Sequence, residues 1–222
     1  MAKKLASDRI LLGSAIVLLG AGLLMLWSAS QPFSDAGGRV VGEAIMARQL
    51  FFAVLGVSVM LLSLRIDYRL LRSPYVSVGV LVVSLILLAG ALVSPAVNET
   101  NRWIRLGGIS FQPSEFAKLA VVVFLASQFE RREGRLSSLR DLLVPALGVG
   151  LVGVAVYLEP DFGSALHIAL VAGAMAFLAG VPLKFFVVGG ALAVPIAAIG
   201  IAAAPYRLER IFAFLDPWAQ RQ

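Results

Sequence analysis

Apolar residues in this chain come in long blocks rather than in narrow stripes. Seven blocks cover residues 10–28, 49–64, 75–93, 114–129, 142–158, 164–181 and 185–204, each bounded by charge or by proline and glycine. A helix rising 1.5 Å per residue needs about 20 apolar residues to cross a hydrocarbon core of about 30 Å. The pattern therefore predicts an all-α fold, a polytopic transmembrane helical bundle with seven spans. The second block is short, but Arg48 and Arg65 at its ends can snorkel outward and lengthen it. The first is too long for a signal-peptide core, and further spans follow at once. No repeat of fixed period and no soluble-domain linker is visible, so residues 1–222 read as a single transmembrane domain with 205–222 as an outer loop.

Composition agrees. The chain is 59% hydrophobic and 14% charged, with a mean hydropathy of +0.90. A soluble domain of this size would need far more polar surface. With no cysteine, a disulfide framework, a thiolate metal site and a cysteine nucleophile are excluded, and one histidine argues against a histidine-rich metal site. A net charge of +6 would suggest nucleic acid in a soluble protein. Here the basic residues sit in short loops between apolar blocks, so no nucleic-acid partner is expected.

Those loops set an orientation. One alternate set holds Lys3, Lys4, Arg9, Arg65, Arg69, Arg72, Arg131, Arg132, Arg135, Arg140 and Lys184, eleven in all; the other holds Arg39, Arg48, Arg102, Arg105, Arg207, Arg210 and Arg221, seven in all. Cytoplasmic loops carry the excess of Lys and Arg, which predicts a cytoplasmic N-terminus and basic loops facing anionic membrane lipids.

An ionisable group in a bilayer is costly unless paired or hydrated, so polar residues at the outer ends of spans are informative. The third and fourth spans are joined by NETNRWIRLGGISFQPSEFAK, with Arg102, Trp103 and Arg105 ahead of a Gly107-Gly108 turn. Pro113 suits the first turn of the fourth helix, and Glu115 is favourable near its positive end. Glu115 and Lys118 are three apart and can pair on one face. The stretch reads either as an interfacial loop anchored by Trp103 or as an anion site, since two arginines beside an aromatic platform suit a sugar pyrophosphate. In the next outer turn, YLEPDFGSAL, Asp161 reads either as a helix cap or as a carboxylate facing an outer cavity, touching a metal or a substrate. His167 reads as a buried, hydrogen-bonded histidine. Gly148, Gly150, Gly153, Gly189 and Gly190 read as packing glycines, and Pro145, Pro182 and Pro195 as helix kinks or stops. The tail RLERIFAFLDPWAQRQ suits a surface helix at the outer interface.

Three stretches together, NRWIRLGGISFQPSEFAKL, LEPDFGSAL and RIFAFLDPW, resemble the SEDS family of shape, elongation, division and sporulation proteins (FtsW/RodA/SpoVE). The opening GLLMLWSASQPF and the Arg48-Gln49 pair are more similar to the division members than to the elongation members. Two positions differ mildly from the family pattern: Phe162 stands where leucine is more usual, and Ser164 where threonine is.

The resemblance implies a peptidoglycan glycosyltransferase of the bacterial plasma membrane. It would polymerise lipid II, an undecaprenyl-pyrophosphate-linked disaccharide peptide, at the outer face of the division septum. A class B penicillin-binding transpeptidase and other division proteins are the implied partners. Carried over by motif, Arg102, Trp103, Arg105, Glu115, Lys118 and Asp161 form the substrate-binding or cavity set. A divalent cation such as Mg or Mn is an expected cofactor without an assigned ligand set. Family members have ten spans, and their catalytic aspartate lies in a Thr-Asp-Phe loop after the seventh. No such tripeptide occurs here, so the catalytic residue is expected beyond Gln222 and these residues alone are expected to be inactive. Three alternatives stand beside this reading: a lipid-linked precursor flippase or transporter, an elongation polymerase, and a non-catalytic scaffold for a transpeptidase.

Overall fold

The computed structural model describes residues 9–30, 42–94, 101–106, 109–132 and 136–202. Seven helices and one short hairpin follow in the order α1 (Arg9–Ser30), α2 (Gly42–Ser63), α3 (Pro74–Leu92), β1 (Ile104–Leu106), β2 (Ile109–Phe111), α4 (Pro113–Arg131), α5 (Leu139–Leu158), α6 (Phe162–Leu178) and α7 (Leu183–Ala202), with a 3-10 turn at Tyr68–Arg72 between α2 and α3. Each predicted block has its own helix, with the blocks at 49–64, 75–93 and 164–181 running one to three residues past the helix end and 203–204 outside the described residues. The expected segments 95–100 and 203–222 and the turn at 107–108 lie outside the described residues.

The chain divides into two compact units, Met1–Asp67 and Tyr68–Gln222. In the first, α1 and α2 pack against each other and are apolar all round. At 22 residues each they are about 33 Å long, enough to cross a bilayer. Their serines turn inward on their own helix, as in Ser14 Oγ to the Ile10 carbonyl and Ser58 Oγ to the Val54 carbonyl, both at 2.8 Å. In lipid such internal satisfaction is obligatory. The second span is not short. The helical sequence GEAIMAR carries α2 seven residues ahead of the apolar block that begins at Gln49.

The second unit is built around α4, which packs against α3, α5 and α6. Its inward face carries Ala117, Ala120, Val121, Phe124 and Leu125, and these meet Leu81 and Leu88 of α3, Val152 and Val156 of α5, and Ile168 of α6. Four helices, α1, α2, α3 and α5, are long and apolar enough to cross a membrane by length and composition. By contrast, α4 carries Glu115, Lys118, Gln128, Glu130 and Arg131. A central helix shielded by its neighbours tolerates polar residues that a lipid-facing helix would not.

Gly148 is where α5 comes closest to α4. A Cβ there would lie 2.7 Å from Phe124 Cζ, closer still to Phe124 Cε1, and 3.2 Å from Leu81 Cδ2. Gly150, Gly153, Gly189 and Gly190 have nothing within 4 Å, so the packing role expected of them falls to Gly148 alone. Pro145 and Pro195 lie inside helices that continue through them, and Pro182 sits just ahead of α7. His167 is exposed on α6 rather than buried, because the inward face there is taken by Ser164 and Ile168.

At the end of the unit where α4 stops, Arg72 Nε pairs with Glu130 Oε1 at 3.0 Å and Ser127 Oγ donates to the Arg72 carbonyl at 3.4 Å. These contacts dock the 3-10 turn on α4. An apolar cleft of about 640 Å³ opens between α4, α5, α6 and α7, lined by residues such as Phe129, Ala172, Gly173, Ala176 and Phe186. It contains none of the six predicted site residues.

Candidate functional site

The starts of α4 and α6 lie at the same end of the second unit, since α5 runs back between them. Two local rules fix those starts. Pro113 occupies the first turn of α4, where its missing N–H has no partner to lose, and Gln112 is the N-cap. At α6 the N-cap is Asp161, whose Oδ1 accepts from the Ser164 N–H at 3.2 Å.

The caps meet across 49 residues of sequence. Gln112 Nε2 donates to Asp161 Oδ2 at 2.8 Å, and Ser114 Oγ donates to the same oxygen at 3.1 Å. Gln112 Nε2 also reaches Ser114 Oγ at 2.9 Å. One buried carboxylate thus ties the N-termini of two parallel helices, each contributing partial positive charge. Burial pushes the Asp161 carboxyl up, but hydrogen bonds from Ser164 and Ser114 and the charge of Arg102 outweigh it and hold the group below its ordinary 3.8.

Of the six predicted residues, the structure brings Arg102 and Asp161 into electrostatic reach. Arg102 is half-buried just ahead of β1, and its Nε is buried with no hydrogen-bond partner. Trp103 is half-buried beside it. Arg105 is exposed on β1, opposite Ser110 in the antiparallel register Ile104–Phe111, Arg105–Ser110, Leu106–Ile109. The hairpin departs from an entirely helical chain. It folds the Arg102–Trp103 segment back toward the start of α4, and Asn101 Nδ2 fastens its approach to the Leu92 carbonyl at 3.1 Å. Glu115 and Lys118 form the expected pair, Lys118 Nζ to Glu115 Oε1 at 2.8 Å, with Glu115 mostly exposed and Lys118 mostly covered.

Three residues were not singled out by sequence reasoning. Gln112 and Ser114 hold Asp161, and Glu159 sits fully buried at the end of α5. Burial first, and the Asp161 charge second, push Glu159 from its ordinary 4.5 up to about 7. The missed signal was the alternation of spans, which puts the starts of the fourth and sixth helices on one side and QPS opposite EPD.

The expected divalent cation meets a poor fit. Both Asp161 oxygens already accept protein donors, and no group of three or more His, Cys, Asp or Glu side chains that could hold a metal stands among the described residues.

A bundle of long apolar helices with its charged groups gathered at helix ends defines a multi-pass integral membrane protein. The "Cell cycle protein" profile, FtsW/RodA/SpoVE, matches residues 9–222, and the chain belongs to that family. It is 35% identical over 214 residues to a protein of Trichlorobacter lovleyi named "Probable peptidoglycan glycosyltransferase FtsW", covering 95% of this chain and 55% of that one. Two solved structures share the fold. A chain from the structure "Structural coordination of polymerization and crosslinking by a peptidoglycan synthase complex" superimposes with a TM-score of 0.66 at 31% identity, covering 89% of this chain and 59% of that one. The rod shape determining protein RodA of Thermus thermophilus gives 0.63 at 29%, covering 81% and 58%. The chain spans about half the length of the curated relatives it matches.

Proposed function

We propose that a protein carrying this chain polymerises lipid II into glycan strands at the outer face of the plasma membrane during division, beside a class B transpeptidase. The observation that carries this reading is the anchored Asp161, with the Arg102 charge acting on it, at the end of the bundle where the caps of α4 and α6 converge. Similarity to relatives named as FtsW glycosyltransferases, and to a chain of a peptidoglycan synthase complex, supports the substrate and the partner. The Lys and Arg asymmetry supports a cytoplasmic N-terminus, which puts this end of the bundle outside.

In the reaction an acceptor sugar hydroxyl attacks the anomeric carbon of the donor with inversion, and undecaprenyl pyrophosphate leaves. Negative charge grows on the pyrophosphate. Arg102 and Arg105 stabilise it, and stabilisation of developing charge by positioned cations is a large catalytic effect. Trp103 offers a flat apolar face to the sugar or the lipid. Asp161 positions Arg102 and the starts of α4 and α6, and the Glu115–Lys118 pair fixes the first turns of α4. The base that takes the hydroxyl proton is assigned to none of the described residues.

The test is Arg102→Ala in the full-length protein, reconstituted with labelled lipid II. Polymer formation should fall by at least tenfold. Polymerisation at the parental rate would refute the role of Arg102, and lipid II crossing the bilayer without polymer would replace the reading with transport.

A further inference from the structure

Glu159 has no place in that chemistry, yet it is an acid taken fully out of water. It is 0% exposed, and neither carboxyl oxygen has a hydrogen-bond partner among the described residues. The residue after it is Pro160, whose ring restricts the backbone, and Asp161 follows at once. The turn has little slack, because the Glu159 N–H reaches the Ala155 and Val156 carbonyls and the Asp161 N–H reaches Val156.

Two carboxyls two residues apart, both buried, do not ionise equally. Three donors and the Arg102 charge favour the charged form of Asp161, while no donor among the described residues meets the Glu159 carboxyl. We propose that Glu159 holds a proton on the acid side of neutrality, gives it up as the pH rises through neutrality, and acts as a positioning residue. Losing the proton puts a second negative charge beside Asp161, loosens the Pro160 turn and unseats Asp161 from Gln112 and Ser114. Glu159 thereby makes the junction of α4 and α6 sensitive to proton concentration. The inference rests on the reading of this junction as part of the substrate site, but its structural half stands apart from any reaction.

The elements packed around the turn carry few other charges. On α4 they are Glu115 and Lys118 near its start, with Glu130 and Arg131 at its far end. On α5 they are Arg140 and Asp141 at its far end and Tyr157 near the turn; α6 carries His167, and α3 only Tyr75, at its far end. Arg102 acts on Asp161, and the charge that acts on Glu159 is that of Asp161. Burial and that charge lift Glu159 to about 7, so the proton is exchanged near neutrality.

Infrared difference spectroscopy of the whole protein in lipid nanodiscs, titrated through neutrality in D2O, reads the proton directly. A carbonyl band of a protonated carboxylic acid should vanish with a midpoint near 7 and be missing from Glu159→Gln. Asp161→Asn, which removes the neighbouring charge and leaves Glu159 in place, should move that midpoint to lower pH. Polymerisation of lipid II should decline across the same range in the parent and lose this dependence in Glu159→Gln. Absence of the acid band, or a carboxylate band that shifts only when Mg²⁺ or Mn²⁺ is added, overturns the proposal. A band that titrates as described in a protein that makes no polymer leaves the proton assignment standing and refutes the functional reading.

Discussion

Replacing Asp161 tests the junction between α4 and α6. Alanine removes the cap of α6, a loss of about 1 kcal/mol. It also strips the shared acceptor from Gln112 Nε2 and Ser114 Oγ, and a buried donor left unsatisfied costs about 1–3 kcal/mol. Gln112 is only half-buried and can turn toward water, and the like charge beside Glu159 disappears, so the sum is moderated to about 2–4 kcal/mol. Asparagine is itself a good cap, and a flipped Gln112 amide could accept from it, which leaves a cost of about 1 kcal/mol. The order of stability is therefore parent, Asp161→Asn, Asp161→Ala. Equilibrium unfolding in mixed micelles against rising SDS fraction measures it. Because the folded carboxyl is held below 3.8, its contribution is present above that value and fades as the pH drops through the folded pKa, so the gap between parent and alanine must shrink in acid. Equal stability of parent and Asp161→Ala at neutral pH would refute the argument that this carboxylate ties the helices together.

Glu159 works in the opposite direction: its raised value gives stability that is full below 4.5 and lost as the pH rises through about 7. Parent stability should decline between about pH 4.5 and pH 7, a range in which Asp161 stays ionised, and level off above it, and Glu159→Gln should flatten the curve. Gly148→Ala drives a methyl against the Phe124 ring and should destabilise by about 1–3 kcal/mol. Adding Phe124→Leu should recover part of that loss, and strict additivity of the two changes, measured by the same unfolding, would rule out the contact. In the first unit, Gly42→Ala places a Cβ 2.6 Å from the Ser30 carbonyl oxygen, whereas Gly56→Ala meets nothing within 4 Å. Cross-linking of cysteines introduced on α1 and α2 of this cysteine-free chain should drop for Gly42→Ala and hold for Gly56→Ala.

Helix existence was legible because a bilayer demands long apolar blocks, and all seven stand out. Helix ends were less so. The apolar block starting at Gln49 missed the turns from Gly42 onward, where Glu43, Met46, Ala47 and Arg48 are good helix formers outside the apolar run. Three-residue strands are too short for a period-two pattern, so IRLGGISF read as a loop around a turn. Local chemistry was readable where it depends on neighbours in sequence: Pro113 opening α4, Asp161 capping α6, Glu115 reaching Lys118. The Gln112–Asp161 bond spans 49 residues and belongs to the packing of helices, which no local pattern encodes. Glu159 was obscured for a related reason. An acid before proline reads as an exposed loop residue, and only the assembled bundle reveals that it is covered.

The placement of charge bears on the choice between polymerase and transporter. A carrier that moves an ionic headgroup across the bilayer places ionisable groups near the midplane, commonly on broken helices. Along α3 to α7 every described ionisable side chain lies within about two turns of a helix end, and the buried polar side chain farther in, Ser84 on α3, is neutral. The helices are also unbroken across their middles, Pro145 and Pro195 notwithstanding. Asp161 can stay charged because two helix N-termini and an arginine act on it at one end, an arrangement that does not extend inward. In the proposed reaction a pyrophosphate headgroup would be held at this rim of the bundle while its hydrocarbon chain stayed in lipid, in keeping with sugar transfer at the membrane surface.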